Sequence, residues 1–276
     1  MSSIKNKIDF AVVFTVKNAN PNGDPLNGNR PRTTFNGLGE VSDVCIKRKI
    51  RNRWQDLGKG IFVQSDDKKT DNAKSLRERS DPLIKSAGKD KEKFVNTVCE
   101  KWIDVRSFGQ LFAFKGDDGG VSVGIRGPVS IQPAFSISPI SITTTQITKS
   151  VNSENGEKKG SDTMGTKYRV DYGAYVFYGS INPQLATKTG FSEEDAQTLK
   201  EALITLFQND SSSARPDGSM DVKCVYWWAH SNPNGQYSSA KVHGSLSVDP
   251  VPESDTAEFT IKLDKLDGLA PEIYNN

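Results

Sequence analysis

Residues 8–16 read IDFAVVFTV, with an apolar side chain at every second position: Ile8, Phe10, Val12, Phe14 and Val16. Side chains two residues apart share one face of an extended chain, so this period predicts a β-strand. The strand runs into residues 18–32, a loop dense in Asn, Gly and Pro. A helical pattern follows the loop, so the chain begins with a strand, a polar loop and a helix.

The first helix is predicted between Ser42, a suitable N-cap, and Gly58. Its apolar residues recur at helical spacing and are expected to face the core: Ile46, Ile50, Trp54 and Leu57. A second face beside them is basic and polar: Lys47, Arg48, Arg51 and Gln55. Because residues 46–54 contain no acid, this face has no acid to pair with, and we interpret it as a track for a phosphate backbone. A merely solvated helix face is the alternative.

The remaining pattern is mostly strands. They are predicted at Val105–Phe114, Val121–Ile125, Val129–Ile137, Val170–Gly179, Val222–Trp228 and Phe259–Leu263, the last followed by a frayed tail. Residues 191–207, FSEEDAQTLKEALITLF, predict a second helix that starts with a capping box of Ser192 and Asp195.

Two stretches interrupt this order. Residues 59–104 mix many charges of both signs with scattered apolar positions, which indicates a partly helical surface insertion without a second core. Residues 138–168 are polar and Thr-rich, with a tip at 153–162, and are interpreted as a protruding hairpin; a disordered surface loop is the alternative. Without both, the order is βαββαβ, the α+β ferredoxin-like arrangement of RNA-recognition domains, in one domain over residues 1–276.

The charge is unevenly distributed. The 276 residues contain 36 Lys and Arg against 34 Asp and Glu, a net charge of +2, which by itself argues against a basic nucleic-acid binder. However, residues 249–276 contain seven acids and two bases, a net charge of −5, so residues 1–248 carry +7. Because electrostatic fields act locally, an anionic partner would meet the basic part.

Composition excludes several classes of protein. The longest apolar runs have about five residues, far from the roughly 20 of a membrane span, so no membrane association is expected. The start lacks an apolar signal region, and Cys45, Cys99 and Cys224 are widely separated, which favours the cytoplasm over a disulfide or zinc scaffold.

The loop at residues 18–32 suits an anion. Its Asn and Gly residues let backbone amides approach closely, and Arg30 and Arg32 can each contact phosphates through two N–H groups. Such loops are also commonly structural, and that reading stays open. The absence of a Walker-type or GxGxxG motif gives no support to a nucleotide cofactor, so no cofactor is expected.

Catalytic signals are weak. The two histidines, His230 and His243, have no Cys or Asp at ligand spacing, and His230 fits a packed strand residue better than a base. Asp24 and Asp43 could bind a metal or act in acid–base chemistry, although capping roles fit them better. We therefore expect no metal and no enzymatic activity.

Seven motifs in chain order resemble a known family. They are NPNGDPLNGNRPR (20–32), GEVSDVCIKRKIRN (39–52), SFGQLFAF (107–114), GIRGPVSIQPAFSISPI (124–140), TMGTKYRVDYGAYVFYG (163–179), NPQLATKTGFSEEDAQTLKEAL (182–203) and ARPDGSM (214–220). Together they resemble the backbone subunit of the type I-C CRISPR surveillance complex, Cascade, of the RAMP superfamily. The resemblance is weak over the charged insertion and the acidic tail.

The resemblance implies a hand-shaped subunit. Its palm is a modified RNA-recognition fold, with residues 59–104 as fingers and residues 138–168 as a thumb. Several copies polymerise along the spacer of one CRISPR RNA, hold its backbone regardless of sequence, and leave segments free to pair with target DNA. Further partners would be the large subunit, the small subunit and the subunit that processes the CRISPR RNA and binds its 5′ handle.

The resemblance also implies an RNA-binding set. Its candidate members are Asn20, Asn22, Gly23, Arg30, Arg32, Lys47, Arg48, Arg51, Arg126, Gln146, Lys149, Met164, Lys167 and Arg169. Met164 would be an apolar wedge near a displaced base. Holding a guide of variable sequence through phosphates and 2′-hydroxyls suits Lys, Arg, Asn and Gly. The sequence lacks the aromatic-rich motif with which ordinary RNA-recognition domains stack bases on their sheet.

Two other functions remain open. One is an endoribonuclease of the same superfamily that uses Asp24 or Asp43 to cut guide or target RNA. The other is a general protein-interaction domain that binds no nucleic acid.

Overall fold

A computed structural model describes residues 2–114, 121–148, 164–251 and 258–275. The strands are β1 (Ile8–Ala19), β2 (Gly23–Asp24), β3 (Arg30–Pro31), β4 (Leu38–Val41), β5 (Gly109–Phe114), β6 (Val121–Arg126), β7 (Val129–Ile131), β8 (Ala134–Pro139), β9 (Ile142–Thr148), β10 (Met164–Ile181), β11 (Met220–Ala229), β12 (Leu246–Pro250), β13 (Phe259–Leu263) and β14 (Glu272–Asn275). The helices are α1 (Asp43–Asp56), α2 (Leu76–Ala87), α3 (Lys91–Lys101), α4 (Ile103–Phe108), α5 (Pro183–Thr189), α6 (Glu193–Ile204) and α7 (Ser239–Gly244), with short 3-10 turns at Pro25–Asn27 and Asp66–Lys68.

The architecture is mixed α/β with one large antiparallel sheet. The strand order is β14-β11-β1-β10-β8-β4, and β7 and β9 also pair with β10. Strand β1 lies in the centre, antiparallel to both β10 and β11. The predicted strand at residues 8–16 is thereby confirmed, and its every-second-residue apolar face is buried in the main core.

Helices α1 and α6 cover one face of this sheet. Ile46, Ile50 and Trp54 of α1 pack with Leu199 and Leu203 of α6 in the main core. The predicted caps are present: the Ser42 hydroxyl accepts from the amide of Cys45, and Ser192 and Asp195 form the capping box. Local sequence therefore determined where both helices begin.

The opposite face of the sheet is also covered. Ala11, Val13, Tyr226 and Trp228 pack there against α7, the β12–β13 hairpin and the segment at 266–269. The prediction of a frayed tail after residue 263 is wrong, because residues 272–275 form β14 and pair with β11. The ammonium group of Lys200 on α6 binds the Glu272 carboxylate at 2.8 Å and fixes that strand.

The insertion contains its own apolar cluster, contrary to the prediction that it has no second core. Phe62, Phe94, Val98 and Trp102 pack with Phe112 of the two-stranded β5–β6 sheet. The predicted strand at Val105–Phe114 begins only at Gly109, since the residues before it form α4. Residues 116–120, the turn expected between these strands, lie outside the described residues.

The predicted hairpin has two paired arms. Strand β9 pairs with the first residues of β10, from Thr148 opposite Met164 to Ile142 opposite Val170. The expected tip at 153–162 lies outside the described residues. No helix in the part of the chain that the structure describes is long and apolar enough to cross a membrane.

Candidate nucleic-acid interface

The loop between β1 and α1 is a small, rigid structure. Strands β2 and β3 pair within it, and the Asp24 carboxylate accepts from the amide of Leu26. Gly28 and Asn29 have positive φ angles of 57° and 62°, a conformation that Gly and Asn adopt most readily. A Cβ atom on Gly23 would lie 1.9 Å from the Asn29 Oδ1, so Gly23 is required for packing.

Two predicted RNA contacts in this loop have framework roles. The Asn20 Nδ2 donates to the Asn29 carbonyl at 2.7 Å, and Asn20 is buried. The Asn22 Oδ1 accepts from the backbone amide and the hydroxyl of Ser42, at 2.9 and 2.8 Å. The Asn20 bond closes the loop on itself, and the two Asn22 bonds attach the loop to the N-cap of α1. Asn20 and Asn22 therefore have the structural role that the sequence left open as the alternative to anion binding.

The α1 cations differ from the sequence prediction. Lys47 pairs with Asp43 at 3.0 Å, and the Arg51 Nε donates to the buried Asp104 carboxylate at 2.9 Å. Lys49 is buried against Asp210. The expectation that this helix has no acids to pair with is wrong, because its partners come from the helix start and from distant segments.

The two remaining α1 cations, Arg53 and Arg48, differ in whether their side chains are hydrogen-bonded. The Arg53 guanidinium donates to the Thr205 hydroxyl at 2.7 Å and to the Gln208 side chain at 2.9 Å. Arg48 is exposed and makes no hydrogen bond or ion pair with another described residue. Arg48 is therefore the α1 cation most available to a phosphate.

A compact charged cluster lies under α1. Asp210 accepts from both Lys49 and Arg215. Burial lowers the pKa of the Lys49 ammonium, and the Asp210 carboxylate opposes that shift. Burial raises the pKa of the Cys45 thiol, partly offset by Lys49 and Arg215. The cluster holds the loop at 209–219 against the helix.

The hairpin separates its predicted RNA contacts onto two faces. Residues directly opposite each other on antiparallel strands share a face, and successive residues alternate. Met164, Thr166 and Tyr168 therefore lie on one face with Gln146, whose amide donates to the Met164 sulfur at 3.2 Å. The other face carries Lys167 and Arg169, opposite Thr145 and Thr143. Lys149, another predicted contact, lies outside the described residues.

The loop and the hairpin meet at Arg30. Its guanidinium carbon lies 5.4 Å from the centre of the Tyr168 ring. Arg32 points its guanidinium at Asp24 instead, at 3.5 Å, and remains about one-third exposed. Arg30, Tyr168, Gln146 and Met164 thus occupy adjoining surfaces.

Arg126, another predicted RNA contact, lies in the two-stranded β5–β6 sheet. It is exposed at the end of β6 and pairs with Gly109, the residue after Phe108. The Phe108 ring lies 5.9 Å from the Lys47 ammonium and 5.1 Å from the Arg51 guanidinium carbon. Phe108 thus contacts two of the α1 cations, and Arg126 lies on the strand opposite the residue that follows Phe108.

The candidate catalytic groups are engaged in structural contacts. The His230 Nδ1 accepts from the amide of Gln236, so its Nε2 donates to Asp9, at 2.8 Å, within the core. His243 contacts the carbonyl of Gly179 and stacks on Tyr178. Within the described ranges, no group of three or more His, Cys, Asp or Glu side chains could hold a metal ion.

Three residues of the site were not predicted: Tyr168, Arg215 and Asp104. Tyr168 and Arg215 lie inside the quoted motifs at 163–179 and 214–220, so those motifs were the available signal. Asp104 had none, because its ion pair joins segments far apart in the chain.

The family comparison covers nearly the whole chain. The family model described as CRISPR-associated protein Cas7 matches residues 6–264. A curated relative from Haloferax volcanii, described as CRISPR-associated protein Cas7, is 27% identical over 229 residues. The match covers 75% of this chain and 66% of the relative, so the chain spans just under two thirds of that relative's length.

Two solved structures are also similar. A chain of a "CRISPR RNA-guided surveillance complex" has a TM-score of 0.44 and 16% identity, covering 80% of this chain and 68% of its own. A chain of a "CRISPR RNA-guided surveillance complex, pre-nicking" has a TM-score of 0.48 and 18% identity, covering 80% of this chain and 75% of its own.

Proposed function

The chain belongs to the family of CRISPR-associated protein Cas7, and from that premise we propose that it is the RNA-binding backbone subunit of a CRISPR RNA-guided surveillance complex of type I-C. The observation that carries the proposal is the family match over residues 6–264, which contains the loop, α1 and the hairpin. The type I-C assignment rests on the seven sequence motifs.

The parts of the fold take the roles of a hand in this proposal. Strands β11, β1, β10 and β8, with α1 and α6 on one face, follow the strand order of a βαββαβ ferredoxin-like sheet and form the palm. The insertion at 59–104 forms the fingers, and the β9–β10 hairpin within residues 138–168 forms the thumb.

The RNA is held through its backbone. The second face of the sheet, on which ordinary RNA-recognition domains stack bases, is covered here by the C-terminal segment. The guide therefore lies against the loop, the exposed side of α1 and the hairpin. There Arg30, Arg48 and Lys167 contact phosphates, while Met164 stands near a displaced base.

The resulting assembly is a filament of copies along one CRISPR RNA. Base pairing between guide and target DNA then supplies sequence specificity, which the protein does not need to read. The other partners are the large subunit, the small subunit and the CRISPR RNA-processing subunit at the 5′ handle. The chain itself is proposed to be non-catalytic, which is supported by the capping and ion-pair roles of Asp24 and Asp43.

The test is co-expression with a CRISPR array. The purified complex is expected to contain RNA, seen in its ultraviolet absorbance ratio, with nuclease protection at regular intervals. The double variant Arg30→Gln/Lys167→Gln should retain much less RNA. Its matched control is Lys262→Gln/Lys265→Gln, which removes the same charge from two strongly exposed lysines of the C-terminal segment.

Three outcomes would contradict the proposal. Protein without RNA would favour an interaction domain. Equal RNA loss in both double variants would show that only net charge matters. Cleavage of labelled RNA that disappears in Asp24→Ala would identify an endoribonuclease.

A further inference from the structure

Arg30 contrasts with three other arginines of the loop and α1, because no described residue accepts a hydrogen bond from its side chain. Arg32, Arg51 and Arg53 each direct guanidinium nitrogens at a carboxylate or a side-chain oxygen. Arg30 makes no side-chain hydrogen bond or ion pair with the residues that the structure describes, and its contact is the face of the Tyr168 ring. Its N–H groups therefore remain open to a ligand.

Tyr168 lies against the loop. Its ring lies beneath the Arg30 guanidinium, and its hydroxyl oxygen lies 3.9 Å from the position that a Cβ atom on Gly28 would occupy. Gly28 has a φ of +57° and ends the 3-10 turn of the loop. The same tyrosine lies opposite Thr144, within the paired part of the hairpin. Tyr168 is therefore a point at which the hairpin contacts the loop.

A cation–π contact with a ring suits an arginine that must bind a phosphate. The guanidinium is planar, and its N–H groups point outward in that plane. When the flat face lies on an aromatic ring, the edge donors stay available for a bidentate contact with an anion. The ring also restricts an otherwise flexible side chain before the ligand arrives, which lowers the entropy lost on binding.

We propose that Tyr168 is a positioning residue for Arg30, which it holds in the orientation that grips a phosphate of single-stranded RNA. This inference rests on the proposed function and adds to it a residue that couples the loop to the thumb hairpin. Tyr168 itself acts through Arg30. Its contribution therefore depends on the arginine being present.

The experiment compares four variants of the full chain: Tyr168→Leu, Tyr168→Phe, Arg30→Gln and the double variant Tyr168→Leu/Arg30→Gln. The probe is a fluorescein-labelled single-stranded RNA carrying a CRISPR repeat and spacer, titrated by anisotropy at several salt concentrations. Tyr168→Leu should weaken binding about two- to fivefold, the factor expected of a surface cation–π contact. Tyr168→Phe keeps the ring and should bind like the unaltered protein.

Two further readouts separate positioning from a structural role. The salt dependence of binding should be shallower by about 0.7 in Tyr168→Leu, as in Arg30→Gln, because each loses one phosphate contact. The double variant should be no weaker than Arg30→Gln alone. The matched control is Tyr172→Leu, a half-exposed tyrosine on the same strand that pairs with Lys17 and should leave binding unchanged.

Several results would overturn the inference. Additive losses in the double variant would mean that Tyr168 contacts RNA on its own. An unaltered affinity in Tyr168→Leu, or in Arg30→Gln, would remove the coupling while leaving the proposed function in place. Absence of RNA binding by the unaltered chain would overturn both. A melting temperature of Tyr168→Leu far below that of Tyr172→Leu would assign the tyrosine a structural role.

Discussion

Helix α1 and the loop-and-hairpin region both carry several cations, but they use them differently. In α1, four of the five cations between residues 47 and 53 are held by oxygens of other residues. In the loop and hairpin, Arg30 and Lys167 make no ion pair with a described residue, and Arg32 and Arg169 have long ones at 3.5 and 3.4 Å. The densest basic cluster in the sequence is therefore largely structural.

Burial explains the difference. A charge removed from water is costly unless an opposite charge and hydrogen bonds accompany it. Asp104, which is 1% exposed, accepts from the amides of Phe62 and Val63 as well as from Arg51. The carboxylate thus joins α1 to the insertion and needs all three donors. Exposed cations on the hairpin face no such requirement, since water solvates them until a ligand arrives.

Asp104→Ala should give the largest effect of all. It leaves the buried amide of Phe62, the partly buried amide of Val63 and the Arg51 guanidinium without their acceptor, and the expected loss is about 3–5 kcal/mol of unfolding free energy. Urea denaturation measures it. Asp56→Ala is the matched control, since that carboxylate pairs with Lys68 near the surface and should cost less than about 1 kcal/mol.

Equal losses in the two variants would break the contrast between buried and surface charge. They would show that Asp104 does not hold the Arg51 guanidinium in the folded protein. That guanidinium would then be free for RNA, as the sequence indicated.

Two neighbouring residues sharpen the comparison within α1. Lys49→Met removes a buried ammonium from Asp210, which keeps Arg215, and should cost about 1–3 kcal/mol of stability. Arg48→Met changes an exposed cation that pairs with no described residue and should leave stability within about 0.5 kcal/mol. For RNA retention by the folded protein the order should be reversed: Arg48→Met should lose more RNA than Lys49→Met. The two variants are compared by urea denaturation and by RNA binding at equal fractions folded.

Loss of RNA binding in Lys49→Met alone, with a folded protein, would contradict the assignment of that lysine to the framework.

Local features of the sequence predicted the main elements. The alternation of β1, the spacing of apolar residues in α1, and the caps Ser42 and Ser192 all act within a few residues, so they are visible in the chain itself. Strands β2, β3, β4, β12 and β14 were missed because short strands depend on their pairing partners. The insertion's core was missed because it needs β5 and β6, which lie beyond residue 104.

The sequence predicted where the candidate site lies better than it predicted what each of its side chains does. The loop, α1 and hairpin were identified by residue type, and the structure places the loop against both other elements. The partners of the α1 cations were invisible, because Asp104 lies 53 residues from Arg51 and Asp210 lies 161 residues from Lys49. Neither periodicity nor charge counting detects such pairs.

The hairpin offers a smaller test with its own internal control. Lys167→Gln/Arg169→Gln changes one face, and Gln146→Ala/Met164→Ala changes the other. The cationic pair should reduce the salt dependence of RNA binding by about 1.4, since each phosphate contact contributes about 0.7. The second pair should leave that slope unchanged but alter the regular nuclease footprint. Identical effects would mean that both faces meet the RNA in the same way.

The smallest effect is expected from charges that lie far from both regions. Under the C-terminal segment, His243 faces the Asp9 carboxylate at 3.6 Å, Lys7 lies beside the same carboxylate, and Tyr178 stacks on the imidazole. Burial lowers the pKa of His243; Asp9 and the Gly179 carbonyl oppose that shift, and Lys7 adds to it. The folded chain therefore takes up this proton less readily than the unfolded chain.

The sign of the pH dependence follows from that difference. Below about pH 6.5, the unfolded chain binds a proton that the folded chain resists, so stability falls as the pH drops toward the folded-state pKa. Above about pH 6.5 both states are neutral at this position, and it contributes no slope. His243→Gln should flatten the acid side of a plot of urea midpoint against pH. It should leave RNA affinity unchanged at neutral pH, because none of the candidate RNA contacts that the structure describes touches this imidazole. A parallel loss of RNA binding in His243→Gln would show that the covered face of the sheet is coupled to the loop and hairpin, and the separation between structural and ligand-binding charge would then fail.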